Sequence, residues 1–230
     1  MTTPTQHAAP QGPTPERIFQ TLSAHQQTAA LKAAIELDVF TAVAEGDDTP
    51  ARVAARTGAA ERGARILCDY LTVHGFLRKE DGRYNLTEES ALFLDRRSPA
   101  YVGGVADFVA GEHLVAGFRE LTDAVRKGGT MLSAQGSMTP EHPMWEDFAR
   151  SMTALARPTA EAIPRIVGAG GMETCKVLDI AAGHGIYGIT IARENPRAEV
   201  YAVDWQKVLE IARDDDAVDA VAGGDVEHLA

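Results

Sequence analysis

Apolar side chains near the start of the chain recur at helical spacing. Ile18, Phe19 and Leu22 form one apolar face, and a second face follows at intervals of four residues, at Leu31, Ile35, Val39 and Val43. Residues three and four positions apart lie on the same side of an α-helix. The pattern therefore predicts helices over residues 16–44, which end before the polar, glycine-containing segment 46–48.

The next segment combines helix caps with a hairpin turn. Thr49-Pro50 predicts an N-cap followed by proline in the first helical position, and this helix ends at Gly58. A second helix over 61–73 is predicted to bury the larger side chains Ile66, Leu67, Tyr70 and Leu71. Asp81-Gly82 between two short apolar segments predicts a β-hairpin. Two helices followed by a hairpin predict a winged helix.

Helical spacing returns after Ser98-Pro99. One predicted helix has the apolar face Tyr101, Val105, Phe108 and Val109, and the next has the face Leu114, Phe118, Leu121 and Val125. From Pro143 onward, Trp145, Phe148, Met152 and Leu155 predict a long amphipathic helix. Such a stripe is more often part of a core than of a binding site.

The segment from Lys176 to Trp205 changes the pattern to strand, glycine turn, helix, strand. Val177 to Ile180 form a short, mostly apolar run typical of a buried parallel strand. The glycines that follow, Gly183, Gly185 and Gly188, have the spacing G-x-G-x-x-G. In nucleotide-binding folds the first two allow a tight turn close to a ligand, and the third allows the helix to pack on the strand. The next strand ends at Asp204, where a carboxylate can accept both ribose hydroxyls.

This order of elements is compatible with a dinucleotide or with S-adenosylmethionine (SAM). Asp179 favours SAM because it lies inside the first strand, only four residues before Gly183. A dinucleotide fold brings a pyrophosphate to the helix N-terminus, where an acid is unfavourable. SAM has no phosphate and contains an ammonium and a sulfonium, which a carboxylate complements. The alternative for Asp179 is a strand-end acid that caps a neighbouring loop.

VLDIAAGHG followed by AVDW resembles the SAM-dependent small-molecule O-methyltransferases that have an N-terminal winged-helix dimerisation domain. The resemblance implies that the glycine turn holds the amino-acid part of SAM and the second-strand acid holds the ribose. By motif match it implies cofactor contacts for Asp179, Gly183, Gly185, Asp204, Trp205 (against the adenine), Met152 (near the methyl group) and Asp225 (at the adenine amino group). Core packing is the alternative for Met152, and a simple turn acid is the alternative for Asp225.

The resemblance implies a histidine as catalytic base, well downstream of the motif. We assign no catalytic residue, because His228 lacks the family context and His113 and His142 are single histidines. We assign no chemistry to His184 and no metal site. Residues 176–230 have room for only three of about seven strands of the family's sheet, and VDAVAGGDV is expected to supply the third. The 230-residue chain is therefore expected to be inactive on its own.

The expected fold is a mainly α winged-helix dimerisation domain followed by a C-terminally incomplete, Rossmann-like α/β SAM-binding domain. The expected divisions are a disordered tail over 1–14, the dimerisation domain over 15–97, a helical linker over 98–172 and the partial SAM-binding domain over 173–230. The expected activity is methyl transfer to a small-molecule hydroxyl, on a phenol or polyketide-like acceptor. Alternatives are a non-catalytic dimerisation or SAM-binding protein, a winged-helix regulator and a nicotinamide enzyme.

Charge and composition indicate which classes of partner and which cellular compartment to expect. The net charge is −11, and residues 173–230 alone hold 12 acidic and 5 basic side chains, which disfavours a nucleic-acid surface there. No apolar run approaches the length of a membrane span, and the first residues do not resemble a secretory signal. Two cysteines without disulfide or metal spacing favour a reducing cytoplasm. We expect a homodimer, because the helices over 16–44 have more apolar surface than a winged helix covers.

Overall fold

The structure, a computed structural model, describes residues 12–131, 144–214 and 226–228. Its first part contains α1 Glu16–Glu36, α2 Val39–Ala44, α3 Pro50–Thr57, α4 Glu61–Val73, β1 Leu77–Glu80, β2 Arg83–Leu86 and α5 Glu88–Phe93. A helical part follows, with α6 Val105–Val109, α7 Glu112–Arg119, α8 Leu121–Lys127 and α9 Met144–Ile166. The last part alternates strands and helices: β3 Cys175–Ile180, α10 Ile186–Glu194, β4 Ala198–Val203, α11 Gln206–Asp214 and β5 Val226–His228.

The capping signals of α3 are confirmed. The backbone N–H of Arg52 donates to the hydroxyl of Thr49 at 3.4 Å, so this side chain satisfies one of the free donors of the first turn. At the other end, Gly58 has a φ of 70°, the left-handed conformation in which helices commonly terminate. The helix therefore begins and ends where its local sequence predicts.

The hairpin of the winged helix is also confirmed. β1 and β2 pair antiparallel, with Leu77 opposite Leu86. Asp81 and Gly82 both have positive φ, at 49° and 78°. A two-residue hairpin turn of this kind needs positive φ at both positions, and the pair Asp-Gly tolerates it.

The core of the N-terminal part lies between α1, α2, α3, α4 and the hairpin. Its largest fully buried side chains include Tyr84, Phe40, Leu71 and Leu77. The prediction that Ile66 is buried is wrong, because 49% of it is exposed. The buried stripe of α4 runs through Ala64, Cys68 and Leu71, and a residue two positions from a stripe member faces roughly 200° away from it.

The apolar face predicted for residues 31–43 is divided between two helices. α1 ends at Glu36, and Asp38 adopts a left-handed φ of 56° before α2 begins. The carboxylate of Asp38 accepts hydrogen bonds from the Thr41 hydroxyl at 2.6 Å and from Nε of Arg96 at 3.1 Å. These bonds stabilise an otherwise unfavourable backbone conformation, and Arg96 connects this bend to the segment after α5.

The helical part departs from its sequence prediction in two places. Tyr101 precedes α6 instead of lying on it. The second predicted helix is interrupted at Glu120, so that α7 and α8 are separate. Because of this break, apolar side chains of both helices line one groove. A continuous helix would have left them on a single exposed face.

A proline inside α9 leaves one backbone carbonyl of this helix available to a side chain of α10. Pro164 has no backbone N–H, so the carbonyl of Ala160, four residues earlier in α9, lacks its usual helical donor. The hydroxyl of Thr190 on α10 lies 3.0 Å from that carbonyl oxygen. Ala160 is fully buried, so this contact lies inside the joint between the two helices.

The sheet has the order β3-β4-β5, and both pairs of strands are parallel. The expectation that the first strand is buried is wrong at Leu178 and Ile180, which are 59% and 71% exposed. α9 and α10 cover only the face that contains Val177 and Val200. Among the described residues, no helix has both the length and the apolar character that a membrane span requires.

Candidate functional site

The glycine turn lies where β3 ends and α10 begins. Gly183 and Gly185 have φ values of 60° and 78°, a region that side chains with a Cβ rarely adopt. The N–H of Gly185 donates to the carbonyl of Ala182 at 2.8 Å and closes the turn. Helix α10 starts at the next residue. The turn therefore has the conformation that its two glycines predict.

Asp204 connects the ends of the two strands. One carboxylate oxygen, Oδ2, accepts the N–H of Gly183 at 2.8 Å. The other, Oδ1, accepts the N–H of Trp205 at 2.7 Å. The two bonds fix the carboxylate against the glycine turn, 21 residues away in sequence. Since the carboxyl ends of parallel strands meet at one edge of a sheet, this is the edge where such folds bind ligands.

Asp179 is half-buried beneath the first turns of α10. Its Oδ2 accepts the N–H of Gly188 at 3.1 Å. Burial raises the pKa of the Asp179 carboxyl and the negative charge of Asp204 raises it further, whereas the Gly188 hydrogen bond and His184 lower it. A partly desolvated carboxylate beside a second carboxylate is stabilised by a bound cation.

The structure adds one feature to this edge that the sequence did not indicate. Ala181, directly after β3, has a left-handed φ of 58°. Its N–H and that of Ala182 both donate to the carbonyl of Val203, at 2.8 and 3.3 Å. A strained backbone of this kind costs on the order of 1–2 kcal/mol and is often found at functional sites. Alanine gives no signal for this conformation.

Gly188 allows α10 to lie directly on β4. A Cβ at this position would be 2.6 Å from Cγ1 of Val200, closer than real carbon contacts. We expect Gly188→Ala to lower the free energy of unfolding by at least about 1 kcal/mol, because the helix must move away from the strand. Denaturant unfolding of the variant measures this change.

Gly63→Ala provides the matched control for that substitution. Gly63 lies inside α4, and a Cβ there would meet nothing within 4 Å. We expect a gain of about 0.5–1 kcal/mol, because alanine loses less backbone entropy than glycine. A Gly188→Ala protein as stable as the unaltered chain would contradict the close helix–strand contact.

The remaining predicted residues are placed as follows. Trp205 directly follows Asp204 and is 44% exposed, so its ring is available at this edge. Met152 is partly buried on α9, in the stretch between Ala149 and Ala160, which pack in the interior. Asp225 and His142 lie outside the described residues. For His228 the structure describes the backbone in β5 only.

His184 supports the turn. It is 8% exposed, and its Nδ1 accepts the N–H of Ile186 at 3.3 Å. His113 lies on α7 and lines the groove between α7 and α8. Within the described ranges, no three His, Cys, Asp or Glu side chains are grouped in a way that could hold a metal ion. The arrangement at the strand ends suits a ligand with hydroxyl groups and positive charge.

Comparison with known proteins identifies relatives of this chain. Residues 19–96 match the O-methyltransferase dimerisation domain. An O-methyltransferase of known structure from Nostoc punctiforme, whose function is assigned provisionally, is 42% identical to this chain. The two structures superpose with a TM-score of 0.81, and the match covers 94% of this chain and 66% of the Nostoc chain. The 3-hydroxy-5-methyl-1-naphthoate 3-O-methyltransferase of Streptomyces sahachiroi is 30% identical over 192 residues, which are 81% of this chain and 54% of the relative.

A more distant structure shares the fold alone. Human N-acetylserotonin methyltransferase in complex with SAM is 18% identical, with a TM-score of 0.71 over 97% of this chain and 68% of the human protein. The chain spans about half the length of curated relatives such as the naphthoate methyltransferase. The winged helix, the helical part and the parallel sheet therefore recur together in methyltransferases.

Proposed function

Because this chain is related to the SAM-dependent O-methyltransferases that have an N-terminal dimerisation domain, we propose that it acts in methyl transfer from SAM to a small-molecule hydroxyl. The acceptor class is a phenol or a polyketide-like aromatic, as in the naphthoate-modifying relative. Within this proposal, residues 15–97 serve dimerisation, 98–172 link the parts and 173–230 bind SAM.

The convergence of Asp179 and Asp204 on the glycine turn is the observation that supports this proposal most directly. Asp204 accepts the ribose hydroxyls, and Asp179 offsets the positive charge of the cofactor. The backbone of Gly183 and Gly185 borders the amino-acid part. Trp205 contributes an aromatic surface for the adenine. Met152 on α9 and Asp225 complete the proposed set.

SAM supplies an electrophilic methyl group on a sulfonium. When bound, SAM would supply this methyl group to the acceptor oxygen, with the electron pair of the broken carbon–sulfur bond left on sulfur and the hydroxyl proton released to water. The residues of this chain bind and orient the reactants, which lowers the entropic part of the barrier. We assign the proton transfer to no residue of this chain.

Calorimetric titration with S-adenosylhomocysteine and with NADH tests the cofactor assignment. We expect binding of the former and none of the latter, because Asp179 lies where a pyrophosphate would approach the turn. A radiolabelled SAM assay against phenols and hydroxyquinones tests methyl transfer, and label transferred by residues 1–230 alone would contradict the expectation that they are inactive on their own. Binding of NADH without binding of S-adenosylhomocysteine would replace the proposal with a nicotinamide function.

The winged-helix regulator is the less favoured alternative, because acidic partners neutralise three of the cations at or near its wing. Lys79 and Arg65 both pair with Asp69, at 2.6 and 3.3 Å. Arg83 pairs with Asp48 at 2.7 Å. A DNA-binding wing instead presents cations free for phosphate contacts. The pairing favours a protein-binding role for this module.

We propose a homodimer in which α1 takes part in the interface. Ile18, Phe19 and Leu22 near its start are 63–67% exposed. We expect light scattering to give twice the chain mass at micromolar concentration. Phe19→Asp should shift the equilibrium towards monomer, whereas Gln27→Asp, on another face of α1, should not. A monomer mass for the unaltered chain would contradict the dimer.

We also propose a cytoplasmic location. Cys68 and Cys175 are both free thiols, and Cys68 is fully buried. Free thiols persist in reducing compartments. Fractionation of cells that produce the protein tests the proposal, and recovery outside the cytoplasm would contradict it.

A further inference from the structure

A cavity of about 500 Å³ lies between α9 and the segment that connects α5 to α6. Its lining combines three guanidinium groups with aromatic and proline side chains and hydroxyls. The residues that matter for its chemistry are Arg96, Tyr101, Arg150, Ser151, Arg157 and Pro158. A volume of this size is typical of small-molecule sites.

The cavity lies on a different side of α9 from the strands that form the predicted cofactor site. Arg150 and Arg157 are seven residues apart and therefore share one face of the helix. Ala149 and Ala160 lie on another face, where they pack with α11 and against α10. The cavity is thus separate from the edge that contains Asp179 and Asp204.

Two of the three cations have no acidic partner among the described residues. Arg96 already pairs with Asp38 at 3.1 Å and lies 5.6 Å from the ring centre of Tyr101. Arg150 and Arg157 form no ion pair or hydrogen bond with the part of the chain that the structure describes. The lining contains one carboxylate, Glu161, against the three guanidinium groups. The cavity is therefore positively charged in a protein whose net charge is −11.

Ser151 adds a hydroxyl to the wall of the cavity, although the residue as a whole is only 4% exposed. Its oxygen is not among the described side-chain atoms that are fully buried without a partner, a condition met by Thr57 Oγ1. A hydroxyl on the wall of a cavity can hydrogen-bond with a polar group of a bound molecule.

We propose that this cavity binds a small aromatic carboxylate. Arg150 and Arg157 provide the planar donors that pair with a carboxylate. The ring of Tyr101 and the ring of Pro158 provide apolar surface for the aromatic part. The site is independent of methyl transfer, because it lies away from the strand ends and contains none of the residues assigned to the cofactor.

Calorimetric titration with 2-naphthoate tests the proposal, with 2-naphthamide as a neutral probe of the same shape. We expect naphthoate to bind and the amide to bind at least tenfold more weakly. Arg157→Gln and Arg150→Gln should each weaken naphthoate binding at least tenfold. Arg62→Gln, which removes an exposed guanidinium of α4, serves as the matched control and should have no effect.

The outcomes separate this site from the cofactor site. Asp204→Ala and saturating S-adenosylhomocysteine should both leave naphthoate binding unchanged, so the result does not depend on the proposed function. The proposal is overturned if naphthoate does not bind, if the amide binds equally well, or if the cavity variants match Arg62→Gln. Loss of naphthoate binding in Asp204→Ala would also overturn it, because the ligand would then occupy the strand ends.

Discussion

Asp204→Ala is expected to weaken the binding of S-adenosylhomocysteine by about 1–3 kcal/mol, roughly 5- to 150-fold in affinity. Its carboxylate already holds the Gly183 and Trp205 N–H groups at 2.8 and 2.7 Å. The substitution therefore removes both the proposed acceptor for the ribose and the hydrogen bond that holds the glycine turn. Calorimetry on the two proteins measures the difference.

Glu199→Ala is the matched control for this effect. Glu199 lies on the same strand, near the opposite end, and pairs with Lys176 at 2.8 Å on the surface. We expect unchanged affinity in this variant. Asp204→Asn removes the charge and keeps one of the two backbone hydrogen bonds, since its single amide oxygen can accept the N–H of Gly183 or of Trp205 while its NH2 group cannot accept. Equal affinity of Asp204→Ala and the unaltered chain would exclude Asp204 from the cofactor site.

Asp179→Asn is expected to have opposite effects on stability and on cofactor binding. Affinity for SAM should fall by about 1–3 kcal/mol, because the carboxylate proposed to offset the positive charge of the cofactor is lost. The free energy of unfolding of the cofactor-free protein should rise at neutral pH. The amide can still accept the N–H of Gly188, so the local hydrogen bond is retained.

The pH dependence follows from the pKa of Asp179, which is raised in the folded protein, mainly by burial. The folded state then holds the proton more tightly than the unfolded chain does. The stability from this group is present below the unfolded value of 3.8 and is lost as the pH rises through the folded pKa. In the unaltered protein the free energy of unfolding should therefore decrease as the pH rises above 3.8. The Asp179→Asn protein should lack this decrease.

Thermal unfolding as a function of pH, with and without SAM, measures both effects. Asp123→Asn is a suitable control, because Asp123 is an exposed acid on α8 that pairs with Arg126. It should change neither quantity appreciably. An Asp179→Asn protein that is less stable at neutral pH, or that binds SAM with undiminished affinity, would contradict the proposed role.

The predictions for Asp204 and Asp179 depend on two kinds of feature. The sequence predicts the positions of the two acids along the chain, but it does not predict the long-range hydrogen bond of Asp204. The positions of the acids at a strand and a strand end follow from the local pattern of residues 176–205, and the structure has the same order of elements. The hydrogen bond between Asp204 and Gly183 spans 21 residues, and no local pattern specifies it. Their roles towards a cofactor remain predictions.

Features that depend on a few neighbouring residues could be predicted from the local sequence. The Thr49 cap, the Gly58 terminus, the Asp81-Gly82 turn and the two turn glycines adopt the backbone that their residue types favour. Such preferences act over one or two turns of chain, since they arise from backbone sterics and short-range hydrogen bonds.

Which faces are covered and which distant groups are in contact depends on the packing of the whole fold. Ile66 is exposed although it is apolar, and Leu178 and Ile180 lie on the open face of the sheet. The strained Ala181, the break between α7 and α8 and the cationic cavity beside α9 have no local signature either. Burial and long-range pairing depend on what packs against each element, and this information is distributed over the whole chain.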